Sequence, residues 1–168
     1  MVGDSERIRE VDRSAATSFA DIGMTWVAGH EPDPVEVLDG YARSGRSWVA
    51  LDETGVVAGY VITDVVDSHA HVTQLSVGRE HQRLGHGTAL MSAAESWATG
   101  EGYDTISLTT FSEVPWNRPL YEHLGYSVWP EEELTPEIRA IRDQERERGI
   151  EPPERVAMRK RLSRTRSG

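Results

Sequence analysis

Two different periodicities meet across the segment Gln82-Arg83-Leu84-Gly85-His86-Gly87-Thr88, and that junction constrains this chain more than any other stretch. Before it, His71-Val72-Thr73-Gln74-Leu75-Ser76-Val77 alternates and is rich in β-branched and apolar residues, the signature of a strand. After it, Leu90, Ala93, Ala94 and Trp97 recur at i, i+3, i+4 and i+7, the signature of one buried helix face. A strand that passes to a helix through Gly-x-Gly leaves free backbone N–H groups at the positive end of that helix. Such an end is an anion site, and phosphate is the usual anion. Glycine suits the turn, because a nest of N–H groups needs φ > 0 somewhere, at a cost of ~1–2 kcal/mol to a residue with a Cβ.

Two phosphate loops are excluded by residue type. A Walker-type loop ends in Gly-Lys-Ser/Thr, and here Gly85-His86-Gly87-Thr88 has no lysine. A dinucleotide-binding fingerprint needs a third glycine where this chain has Leu90. A second segment, Pro115-Trp116-Asn117-Arg118-Pro119-Leu120-Tyr121-Glu122-His123-Leu124-Gly125-Tyr126, has its own logic. Asn117 and Tyr121 are spaced i, i+4 on one face of a short helix, Leu120 and Leu124 form a packing pair, and Gly125 ends the helix as a left-handed cap. Tyr126 to Trp129 then alternates as a strand.

The Q-x-x-G-x-G loop after a strand, followed by N-x-x-x-Y-x-x-L-G-Y, resembles the two signatures of the GNAT-type N-acetyltransferases. The resemblance is specific from about residue 71 to 129 and implies an α+β fold, a central mixed, mostly antiparallel sheet flanked by helices, in one domain over residues 1–168. It implies acetyl-CoA as cosubstrate. The backbone of Leu75, Ser76 and Val77 would pair with the pantetheine arm, and Gln82, Arg83, Leu84, Gly85, His86, Gly87 and Thr88 would hold the pyrophosphate. Asn117 would contact CoA, the Tyr121 hydroxyl would lie near the sulfur as general acid, and the Val77 N–H would polarise the thioester carbonyl.

The base is open. Many relatives carry a glutamate in the strand before the loop, whereas Thr73 and Gln74 stand here and neither takes a proton at neutral pH. His71, Glu31, Asp64 and Glu113 are candidates, as is a water chain. His69 and His71 have two-ligand metal spacing on one strand face, but no third ligand is evident, so no metal is expected. Trp97, Trp48 and Trp129 read as core, while Trp26 and Trp116 are candidates to line an acceptor pocket with His71.

At 168 residues with no cysteine, the chain has length for one core, no disulfides, and no possible acyl-cysteine intermediate, so acyl transfer would be direct. A net charge of −10 argues against nucleic acid and suits a cationic amine, with Arg79 and Arg83 supplying local positive charge for CoA. No apolar run is long enough for a membrane span, and the polar start does not read as a signal peptide, so a cytoplasmic protein is expected, with a homodimer open. Along the chain we expect a strand over Glu6–Val11, helices from Arg13 to Ile22 and after Pro34, and a hairpin from Trp48 to Val66 turning at Asp52–Gly55. A strand at Thr105–Thr110, a helix from Thr135 to about Gly149 with charge pairs on its wet face, a strand at Arg155–Arg159 and a disordered tail over 163–168 complete the expectation. A small-molecule amine is the leading acceptor. A protein or peptide acceptor, a non-catalytic acyl-CoA sensor, and a scaffold with purely structural glycines are the alternatives.

Overall fold

The computed structural model describes residues 3–24, 27, 29, 31–112, 114, 117–148 and 155–163. The expectations for Trp26, Glu113, Trp116 and the tail beyond Ser163 lie outside those residues. The described helices are α1 (Ser5–Thr17), α2 (Val35–Arg43), α3 (His86–Gly100), α4 (Arg118–His123) and α5 (Pro136–Glu147). The strands are β1 (Ser47–Leu51), β2 (Val57–Val66), β3 (His69–Val77), β4 (Thr105–Phe111), β5 (Ser127–Val128) and β6 (Arg155–Arg161). They form the expected mixed sheet, in the order β1-β2-β3-β4-β6-β5. β1 is antiparallel to β2, and both β4 and β5 are antiparallel to β6. β3 is parallel to β4, with Ala70↔Ile106 and His71↔Ser107 in register. By compactness the chain falls into two units, Met1–Thr63 with Thr73–Ala94 and Asp64–Val72 with Glu95–Gly168, so β2 and β3 contribute residues to both.

The first unit packs Ile8, Val11 and Leu38 of α1 and α2 on Val57, Tyr60 and Ile62 of β2, with Tyr41 and Val49 against them. Here the expected strand at Glu6–Val11 is overturned, because these residues begin α1. Ser5, Ile8 and Val11 are its buried positions, three apart, and a period-2 strand would put Ile8 and Val11 on opposite faces. The expected helix from Arg13 continues α1 and tightens into a 3-10 turn, Ser18–Ile22, closed by left-handed Gly23. On β2, a Cβ at Gly59 would stand 2.8 Å from the Ser76 carbonyl oxygen, so only glycine lets the neighbouring backbone come this close.

The second unit packs Val66, Trp129, Leu134, Ile138 and Ala157, with Ile141 against them. β2 turns into β3 through Asp67 (φ 47°) and Ser68 (φ 64°), a two-residue turn with both residues left-handed, as an antiparallel hairpin requires. That turn is held from outside the hairpin: the Asp67 N–H donates to the Glu137 carboxylate at 2.6 Å, and the Glu137 N–H returns a bond to Asp67 Oδ2 at 2.8 Å. On α5 the charge pairs are not confined to the wet face, because Arg142 and Glu145 share the buried stripe with Ile138. Arg142 lies 3.5 Å from Glu145 and donates to the Arg155 carbonyl at 2.6 Å, two of the partners a buried charge needs. Trp129 is core as expected, but Trp48 and Trp97 are only half-buried. α3 turns the small side chains of Ala94 and Ala98 inward with Leu90 and Met91, and Trp97 sits at the edge against Tyr103 with ring centres 5.9 Å apart.

β3 is stitched to β4 by one hydroxyl. Ser107 Oγ lies 2.8 Å from His69 Nε2 and 2.8 Å from His71 Nδ1, and all three side chains are buried. Burial, and then the neighbouring His69, lower the His71 pKa from 6.5 to about 4. The unfolded chain therefore takes up this proton first as pH falls. Stability from His71 is complete above about pH 6.5 and lost toward pH 4, on the order of 3 kcal/mol. Urea denaturation at pH 7.5 and 4.5 should show that loss in the wild type and a clearly smaller one in His71→Gln; equal losses would contradict the linkage. Gly59→Ala is expected to destabilise by ~1–3 kcal/mol, since the added methyl meets backbone and not a yielding side chain; an unchanged urea midpoint would contradict the close approach.

Candidate functional site

After β3 the chain makes a 3-10 turn at Arg79–His81, extends at Gln82, and enters α3 at His86. The first bond of that helix runs from the Ala89 N–H to the Gly85 carbonyl at 3.1 Å. The N–H groups of His86, Gly87 and Thr88 lie ahead of the ladder, as the first turn of any helix leaves them. No acidic residue occupies the first turn of α3, whereas Glu6, Glu36 and Glu137 do so in α1, α2 and α5. The positive end of α3 therefore carries no acid of its own in the first turn. Gly85 has the left-handed φ expected of it, 87°. The second left-handed residue is Arg83 at 65°, not Gly87, which lies inside the first helical turn. Sequence reading misses this, because nothing marks an arginine for a conformation that costs it ~1–2 kcal/mol.

Gln82 ties the loop to its strand: Nε2 donates to the Val77 carbonyl at 3.2 Å and to Ser18 Oγ at 3.3 Å. Arg83 and Leu84 are exposed, and His86, Gly87, Leu75 and Val77 are half-buried. Arg79, expected to lend positive charge to the loop, is instead engaged with Asp21, its Nη2 at 2.6 Å from Oδ2. Among the described residues Arg83 has no ion-pair partner.

The inner end of β3 carries a polar cluster. Ser76, buried, donates its hydroxyl to Asp12 Oδ1 at 2.7 Å. Gln74 Nε2 donates to the same oxygen at 3.3 Å and to Ser76 Oγ at 3.0 Å. Tyr60 is buried beside them, its phenol held well above 10 by burial and then by the negative charge of Asp12. The Ser76 side chain is thus turned to α1. Asp12 escapes sequence reading because 62 and 64 residues separate it from its partners.

In the second unit, Asn117 caps α4 by accepting the Tyr121 N–H at its carbonyl, 3.2 Å away, while its side-chain amide makes no capping bond. Leu120 and Leu124 are half-buried, and Gly125 closes the helix at φ 96° as expected. Tyr121 is buried, with its ring edge-on to Tyr126 at 6.0 Å. Burial pushes its phenol up to about 12, against a smaller opposing effect of Arg155. Among the described residues no hydrogen bond holds the Tyr121 hydroxyl, whereas Tyr126 donates to Glu95 at 2.9 Å. His71 is 5% exposed and bonded to Ser107, a geometry that explains it as a structural residue and lends no support to a base. Glu31 is exposed and paired to Arg9 and Arg13, each at 3.7 Å, and Asp64 is half-buried. Among the described residues no three His, Cys, Asp or Glu side chains are grouped to hold a metal, and no helix is long and apolar enough to cross a membrane.

The sequence model of the acetyltransferase (GNAT) family matches residues 12–126. The catalytic subunit of the N-terminal acetyltransferase A complex, NAA10, of Arabidopsis thaliana is 40% identical over 90 residues, which are 48% of this chain and 45% of that protein. The chain spans about half the length of the curated relatives it matches. A GNAT-family acetyltransferase of Staphylococcus aureus Mu50 superposes with a TM-score of 0.72 at 14% identity, over 96% of this chain and 94% of that one. The PaiA N-acetyltransferase of Thermoplasma acidophilum, solved in complex with coenzyme A, superposes with a TM-score of 0.68 at 15% identity, over 96% and 94%. With that match reaching from Asp12 through the loop and α4 to Tyr126, the chain belongs to the acetyltransferase (GNAT) family.

Proposed function

We propose that this protein transfers an acetyl group directly from acetyl-CoA to the primary amine of a small molecule. The observation that carries the reading is the start of α3, where Gly85 is left-handed, the first-turn N–H groups precede the ladder, and no acid competes for them. Gln82 to Thr88 would hold the pyrophosphate there, and the backbone of Leu75, Ser76 and Val77 the pantetheine arm. Arg83, exposed and without an ion-pair partner among the described residues, would add the charge that Arg79 does not. Asn117, its side chain uncommitted to the helix cap, would contact CoA.

Acetyl-CoA supplies an activated acyl group, and the amine must lose a proton (ordinary pKa ~10.4) while the leaving thiolate (~8.5) gains one. Tyr121 would give that proton. With its pKa at about 12 it stays protonated through the working range, and its hydroxyl is not held by another side chain among the described residues. A second reading, with a peptide amino terminus as acceptor, is favoured by the 40% identity with a protein N-terminal acetyltransferase subunit. Thiol release from acetyl-CoA with small amines and with short peptides separates the two.

Tyr121→Phe is expected to lower kcat by ~10²–10³-fold with little change in acetyl-CoA affinity; a rate within threefold of wild type would remove Tyr121 as the acid. At Gly85 a Cβ has room, with nothing within 4 Å, so alanine there tests the backbone conformation alone. Gly85→Ala is expected to weaken CoA binding by ~1–2 kcal/mol, roughly 5–30-fold, by calorimetry. Unchanged affinity would mean that the loop does not hold the ligand.

A further inference from the structure

We propose that Asp12, a residue outside both sequence signatures, is the carboxylate that takes the proton of the acceptor amine; this rests on the acetyltransferase reading above. The strand leading to the loop has no residue of its own for this step, since Thr73 and Gln74 occupy it. Asp12 reaches that strand from α1. Its Oδ1 accepts the Ser76 hydroxyl at 2.7 Å and the Gln74 amide at 3.3 Å, and the buried Tyr60 phenol feels its charge. Gln74 thereby hands its position on the strand to a carboxylate borne by the helix. Donors converging on one carboxylate fix its direction. Asp12 is also only half-buried, so an amine can approach it.

The surrounding charge suits a cation. Asp33 acts on Tyr60 from the loop before α2, adding a second negative group. The nearby cations of α1 are offset, because Arg9 and Arg13 both lie 3.7 Å from Glu31. Gln74 and Ser76 on β3 are uncharged, and Tyr60 on β2 stays protonated. An ammonium drawn to this cluster meets Asp12 as its proton acceptor.

The ammonium gives one proton to the Asp12 carboxylate, which passes it to solvent, and the neutral nitrogen attacks the thioester carbonyl carbon. The C–N bond forms, and the C–S bond breaks with its electron pair on sulfur. Sulfur takes the Tyr121 proton, and the second proton lost by nitrogen restores the phenol. One ammonium and acetyl-CoA yield amide, CoA thiol and one proton.

The test is acetyl-CoA-dependent thiol release by wild type, Asp12→Asn and Asp12→Glu with spermidine, tyramine and a short peptide bearing a free amino terminus, from pH 6 to 9, with acetyl-CoA affinity measured alongside. Asp12→Asn is expected to bind acetyl-CoA like the wild type and to lose ~10²–10³-fold in kcat with every amine it accepts. Asp12→Glu is expected to recover a large part of that rate, and it carries the test should the asparagine variant fail to fold. Asp12→Asn within threefold of wild type, or Asp12→Glu as slow as the asparagine variant, would overturn the role of Asp12 and leave the transferase reading standing. A wild type that binds acetyl-CoA but releases no thiol with any of the amines would overturn both.

Discussion

β3 is pinned at both ends by hydrogen bonds that no local rule demands. At its start the Ser107 hydroxyl is shared by His69 and His71, at 2.8 Å each. At its end Asp12 accepts the hydroxyl of Ser76 at 2.7 Å. A strand held this way delivers Val77, Gly78 and the loop to a fixed place, and Gln82 repeats the restraint by bonding back to the Val77 carbonyl. The left-handed residues Arg83 and Gly85 can then be tolerated, because the chain on either side is held.

Much of this was legible in the sequence where one period ran unbroken. The strand before the loop, the hairpin turn at Asp52–Gly55 and the cap at Gly125 all stand where the residues put them, although the start of β3 is buried on both faces and does not alternate. Reading failed where a pattern was short. Ile8 and Val11 suggested a strand, and only their spacing of three against the core of Leu38 and Tyr60 makes α1. Trp97 kept the right helical phase but was too large for the centre of the face, which Ala94 and Ala98 fill. Arg142 looked like a surface charge, and its partners Glu145 and the Arg155 carbonyl are what allow it inside.

The site divides along the same line. Gly85, Asn117 and Tyr121 could be put forward from spacing, because each would act through its own segment. Asp12 could not, since its meaning comes from Gln74 and Ser76, more than sixty residues on. His71 runs the other way: its residue type made it one candidate base among several, and its environment buries the ring against the Ser107 hydroxyl.

If the start of α3 holds the pyrophosphate of an acyl-CoA, calorimetric titration of the protein with CoA will show saturable one-to-one binding that inorganic pyrophosphate, added as competitor, weakens. Absence of CoA binding, or binding indifferent to pyrophosphate, would contradict it.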